Sequence, residues 1–140
     1  MKILLAVDGS AHTKKMLAYL ATHSELFATI NDYLVLTVQP SIPSRVRSAV
    51  GQAVVDNYAL EEAELVLAPV SEFLLRHGIN AKTNWKMGPA GETIAQFAEA
   101  EKCDLVVMGS HGHGALAKLV MGSVATQVLA HCHVPVLLVR

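Results

Sequence analysis

Ile3-Leu4-Leu5-Ala6-Val7 is an uninterrupted apolar run that stops at Asp8-Gly9-Ser10, too short for a helix and without the polar alternation of a strand that shows one side to water. Such a strand must be covered on both faces, an environment that parallel sheets flanked by helices provide and half-exposed antiparallel sheets do not. Leu105-Val106-Val107-Met108, ending at Gly109, repeats the pattern. A hydrophobic content of 52% against 16% charged residues suits this two-sided burial.

Helical periods separate the apolar runs. Met16, Leu17, Leu20 and Phe27 predict a first helix from Thr13 to Phe27, and Tyr33–Val38 predicts a second strand. Gln39-Pro40-Ser41-Ile42-Pro43 breaks the pattern, and residues 40–55 carry no assignable element. Ala59, Ala63, Val66, Val70, Phe73 and His77 mark one face of a second helix that stops at Gly78, with a kink expected at Pro69. Ile79 to Met87 alternates apolar with polar residues, as a half-exposed strand does. Pro89 opens a helix carrying Ile94, Phe97 and Ala98. Val124, Val128, Leu129 and Cys132 form a last helical face, and Val134–Val139 closes the chain as a fifth strand.

Strict β-α alternation predicts a single α/β domain over residues 1–140: an open, parallel five-stranded sheet with right-handed crossovers and helices on both faces. The uniformly apolar first and fourth strands belong in the centre, and the alternating third and proline-bearing fifth strands at the edges, which gives the order 3-2-1-4-5. That order reverses between strands one and four, so a ligand crevice is expected just beyond Val7 and Met108.

Composition narrows the partners. A net charge of −1, from 11 basic and 12 acidic residues without a basic stripe, argues against nucleic acid. Met1 leads directly into the first strand without a charged leader, cleavage site or membrane-length apolar stretch, so a cytoplasmic protein with no membrane partner is expected. Cys103 and Cys132, outside any CxxC spacing, read as reduced packing residues.

Beyond the fourth strand the chain reads Gly109-Ser110-His111-Gly112-His113-Gly114 and, after Ala115–Met121, Gly122-Ser123 at the start of the final helix. Glycines let a backbone approach a ligand closely, and free N–H groups at a helix start attract an anion, so phosphate is the natural occupant. Ser123 is expected to add a hydroxyl and cap the helix, with His113–Met121 beside the phosphates and Asp8 across the crevice accepting from ribose or base. Each piece alone is also an ordinary turn; their convergence on one crevice gives them weight.

Gly109-x-x-Gly112, nine further residues, then Gly122-Ser123 resembles the G-2x-G-9x-G-S/T pattern of the nucleotide-binding branch of the universal stress protein family. The opening Ala6-Val7-Asp8-Gly9-Ser10 and the closing Val134–Arg140 are similar to that family too, whereas Pro40–Val55 carries no shared motif. The resemblance implies a stress-response module that binds ATP, or ADP or AMP, with Mg2+ as a companion of the triphosphate. It implies Asp8 and the Val7 backbone near ribose and adenine, and the Val38 main chain against adenine. Gly109, Gly112, Gly122, Ser123 and the Val124 amide would hold the phosphates, while Met108 and His111 would line the pocket. It further implies a homodimer, the Val134–Val139 strand pairing with its twin. An edge strand apolar on both faces independently asks for such cover.

Other nucleotide motifs fit less well. The P-loop needs GxxxxGK[ST], and Lys118 stands at no matching position; Gly112-x-Gly114-x-x-Ala117 follows the wrong strand for a dinucleotide fingerprint. His111-Gly112-His113 lacks the HxGH spacing of a nucleotidylyl transferase, and Asp8 lacks the paired acid of a response regulator. HxH at His111/His113 and at His131/His133 offers metal ligands without a closed set of four, so no metal site is expected. His77 is read as a helix-end residue bonding a carbonyl. A slow ATPase using the same pocket, without an evident general base, and a nucleotide-independent dimeric module stand as alternatives to a non-enzymatic binding protein.

Overall fold

The computed structural model describes residues 1–113 and 120–140. In chain order the elements are β1 (Lys2–Ala6), α1 (Ala11–Thr22), β2 (Asp32–Gln39), α2 (Ser44–Val50), α3 (Gln52–Arg76), β3 (Lys82–Met87), α4 (Ala90–Ala100), β4 (Leu105–Gly109), α5 (Ser123–His131) and β5 (Val136–Val139). The strands form one parallel sheet in the order β3-β2-β1-β4-β5, as the apolar runs predict.

Strand alternation divides the core in two. Ile3, Leu5 and Val7 of β1 and its exit face α1 and α3, where they pack with Met16, Leu20, Ala63, Val70 and Leu74. Leu4 and Ala6 face α4 and α5, where they meet Ile94, Phe97, Ala98, Ala125 and Val128. The central strands are thus sealed on both sides, and the edges are more open: β3 has no fully buried residue, and in β5 only Val139 is buried.

Several boundaries differ from the sequence reading. α1 starts earlier, capped by Ser10, whose side chain accepts from the His12 N–H, and ends at Thr22. Phe27 is buried beyond the helix, in the turn leading to β2, so its spacing from Leu20 mimics a continuing period. The segment without assignable signal contains α2, which buries nothing, and Gly51, whose φ of +89° separates it from α3. α3 begins at Gln52 and continues past Pro69, which is exposed together with Leu65, the residue whose carbonyl loses its partner there. Its buried stripe is Val55, Ala59, Ala63, Leu67, Val70 and Leu74; Val66 and Phe73 lie at its margin and His77 is exposed.

His77 does bond a carbonyl, that of Phe73, 2.9 Å from Nδ1. Gly78, with φ of +77°, turns the chain so that the Ile79 N–H reaches the Leu74 oxygen at 2.9 Å, and Ile79 is buried before β3 begins. In α5, Ala125 and Val128 are buried, whereas Leu129 is 46% exposed and Cys132 caps the helix end.

Cys103 and Cys132 are both free thiols. Burial pushes the Cys103 thiol above its ordinary value, and burial does the same to the Tyr33 phenol, whose hydroxyl donates to the Ala28 oxygen at 2.9 Å. Among the described residues no helix is long and apolar enough to cross a membrane.

Candidate functional site

β1 and β4 lie side by side, with Ala6 opposite Met108, yet their onward connections leave to opposite faces of the sheet. A cavity of about 320 Å3 opens at their carboxyl ends, within the range of about 300–1,000 Å3 typical of small-ligand sites.

The β1 wall is built by its exit turn. Gly9 has φ of +77°, and Asp8 Oδ1 accepts from the Ser10 N–H at 2.9 Å and from the Thr13 hydroxyl at 3.0 Å, while the Asp8 N–H donates to Thr13 Oγ1 at 3.1 Å. Asp8 is therefore pinned by one oxygen, leaving Oδ2 towards Gly112. The β4 wall is the Ser110–Gly112 stretch, held by Ser110 N–H to Val139 O at 2.9 Å and Gly122 N–H to Ser110 O at 2.7 Å.

Space explains the glycines. A Cβ on Gly112 would stand 2.6 Å from Asp8 Oδ2, and one on Gly109 would stand 2.7 Å from His12 Cβ. At Gly122 it would meet the backbone of His111 at 3.1 Å and of Ser110 at 3.3 Å. Each glycine thus lets two segments of the chain touch that a side chain would part.

Val7, Asp8, Val38, Met108, Gly109, His111, Gly112, Gly122, Ser123 and Val124, the residues singled out in the sequence, all line this one cavity. One detail differs: Gly122, not Ser123, occupies the cap position of α5, with no side-chain cap bond, and Ser123 is the first helical residue. The first N–H groups of a helix have no intrahelical acceptor, so Ser123 and Val124 leave theirs at the wall. The expected flanking loop, with Gly114 and Lys118, falls at residues 114–119, outside the described residues.

Thr13, His113, Ala6, Ala90, Ile94 and Ala125 complete the lining. In sequence Ala6 belongs to the first apolar run and Ile94 to a helical period, and Ala125 carries no signal, because such patterns report burial and not which cavity a residue borders. The lining is accordingly two-ended. Val38, Ile94, Met108 and Val124 form an apolar part fit for a flat ring, and the glycines, Asp8 and the α5 start form a polar part fit for an anion. Among the described residues no group of three or more His, Cys, Asp or Glu side chains is arranged to hold a metal ion; His131 and His133 instead approach Glu92 and Glu99 separately.

A parallel sheet of this order, with its cavity at the reversal point, defines a Rossmann-like α/β protein. The chain belongs to the universal stress protein family, whose model matches residues 1–140. It is 34% identical over 139 residues to a universal stress protein of Thermus aquaticus, covering 99% of this chain and 97% of that one. It is 32% identical to Slr1230 of Synechocystis, where it spans 99% of its own length but only 42% of the relative's. Among solved structures, MJ0577 superposes with a TM-score of 0.82 at 27% identity, covering 99% of this chain and 94% of that one. A family member from Arabidopsis thaliana with AMP bound superposes with a TM-score of 0.69 at 20% identity, covering 99% and 90%. One in complex with cAMP gives 0.70 at 17%, covering 100% and 97%.

Proposed function

We propose that this protein binds an adenine nucleotide in the crevice between β1 and β4 and acts as a cytoplasmic, nucleotide-responsive stress module, not as an enzyme. The observation that carries this reading is the meeting in one cavity of Asp8, more than a hundred residues away in sequence, with the Gly109, Gly112 and Gly122-Ser123 pattern. The apolar part suits adenine beside the Val38 main chain, Asp8 faces the ribose, and the glycine backbone with the Ser123 and Val124 amides cradles phosphate. AMP and cAMP in two relatives of the same fold support the adenine class. Two free thiols suit a reducing compartment. The working unit is a homodimer joined through Val134–Val139, since among the described residues β5 pairs only with β4 and leaves its other edge open along Val136, Leu137 and Leu138.

The test is calorimetry with ATP and Mg2+, ADP, AMP and GTP, alongside thermal melts. Ligand at about a hundredfold excess over Kd adds about 2.7 kcal/mol to the native state, a melting shift of several degrees. No heat and no shift with any adenine nucleotide at millimolar concentration would sink the reading.

A further inference from the structure

Histidines gather at the polar end of the cavity. His113 follows Gly112, and its Nε2 lies 2.7 Å from the backbone oxygen of Asp8, a contact that bridges the crevice from the β4 side to the β1 side. His111 places Nδ1 2.9 Å from Ser110 Oγ, and its ring centre lies 5.1 Å from that of His12. His12 stands in the first turn of α1, packed beneath Gly109, with its Nδ1 buried and without a partner among the described residues. Among the described residues, the titratable groups that line the cavity or touch these rings are Asp8, His12, His111 and His113; β2, α4 and α5 bring none to the wall.

A carbonyl oxygen only accepts, so His113 Nε2 carries the hydrogen and the neutral ring keeps a lone pair at Nδ1. Protonation turns that lone pair into a second donor. A neutral ring offers a phosphate oxygen nothing from that atom, whereas a protonated ring offers a charge-assisted hydrogen bond.

We propose that His113, beside His111 and His12, reads the charge of the ligand's phosphate, so that nucleotide binding takes up protons and tightens as pH falls from about 8 to about 6.5. The ligand class is an adenine nucleotide carrying a free phosphate, distinguished by these rings from the uncharged nucleoside; this rests on the nucleotide-binding reading above. Coupling is reciprocal, since what protons do for the ligand the ligand does for protons. A free phosphate's own second ionisation lies at about pH 6, so acidification lowers the ligand's charge. A gain in affinity that survives with a ligand of fixed charge therefore originates in the protein, and one that is lost with such a ligand originates in the phosphate.

The experiment is calorimetric titration of the full chain with AMP, ADP and adenosine at about pH 8, 7.2 and 6.5, each in two buffers of different ionisation enthalpy. AMP and ADP are expected to bind about fourfold tighter at the lowest pH than at the highest, with net proton uptake and no change for adenosine. His113→Gln should flatten the profile while melting near the parent; adenosine 5'-sulfate, whose charge is fixed over this range, should show the same proton uptake with the parent and decides the matter even if the variant fails to fold. Adenosine and AMP both bound with pH-independent affinity and no proton exchange would overturn the proposal and leave the nucleotide reading standing. A pH dependence equal for adenosine and AMP would also overturn it, by moving the titrating group away from the phosphate. Failure of all three ligands to bind at any pH would remove both.

Discussion

Replacing Gly122 tests the cradle most directly. Its φ of −74° and ψ of 168° are open to any residue, so the glycine is there for space and not for conformation. A Cβ would press on the His111 Cα at 3.1 Å and the Ser110 oxygen at 3.3 Å, both backbone atoms. They cannot easily retreat, because Ser110 is tied to Val139 on one side and to Gly122 itself on the other. Overpacking of this kind costs about 1–3 kcal/mol, offset by about 0.4–1 kcal/mol from the reduced freedom of the unfolded chain. Gly122→Ala should therefore lose about 1 kcal/mol net, near 4 °C in melting temperature for a chain of this size, and Gly122→Val about 2–3 kcal/mol. Both substitutions push the Ser110–Gly112 backbone out of place, so AMP affinity should fall about tenfold or more for alanine and beyond detection for valine. The spacing pattern alone predicts loss of binding; the packing adds loss of stability. Melts and calorimetry on the two variants check both, and an alanine variant that melts and binds AMP like the parent would refute the close approach.

Three further outcomes are expected. Asp8→Ala removes the acceptor of the Ser10 N–H and the Thr13 hydroxyl, so it should lower stability by about 2–3 kcal/mol in a urea titration as well as weaken adenosine binding. Tyr33 and Cys103 both have ionisations raised by burial, so their contribution to stability is complete below about pH 9 and lost as pH rises through their folded-state values. Melting temperature should drop between about pH 9 and 11, and Tyr33→Phe should lessen the drop; no drop in the parent would contradict the burial of both groups. Light scattering should report a particle of twice 15.0 kDa with or without nucleotide, and Val136→Asp should halve it; a monomeric parent would rule out the β5 pairing.

The sheet was legible because β1 and β4 are apolar without interruption and because β3, with Lys82 and Lys86, alternates. What was misread has a common cause: periodicity records burial, not the element that produces it. Phe27 is buried from a turn and lengthened α1 on paper, while Val46, Val50 and Val54 are exposed and left α2 and the start of α3 without a signal. Leu67 and Leu74 belong to the buried stripe of α3 that Val66 and Phe73 only border. The glycines were legible as a spacing, and their reasons were not. That Gly109 makes room for His12, and Gly112 for Asp8, depends on contacts between residues about a hundred positions apart, as does the bond from His113 to Asp8. Ala90, Ile94 and Ala125 border the cavity by virtue of helix placement, which no local pattern encodes.

The pairing of β1 with β4, across about a hundred residues, also governs when the cavity can exist. Joining distant segments is a slow step, since the entropy of closing a long loop precedes the contacts that reward it. β2 can settle on β1 early, but the polar end needs β4, the Ser110–Gly112 stretch and the start of α5 all in place, and Ser110 in turn leans on Val139 of the final strand. A chain emerging from synthesis thus has no pocket until β4, α5 and β5 have docked. A ligand that fits only this completed arrangement leaves the rate of folding nearly untouched and acts by slowing unfolding. Occupancy would then lengthen the protein's lifetime against proteolysis more than it hastens its assembly.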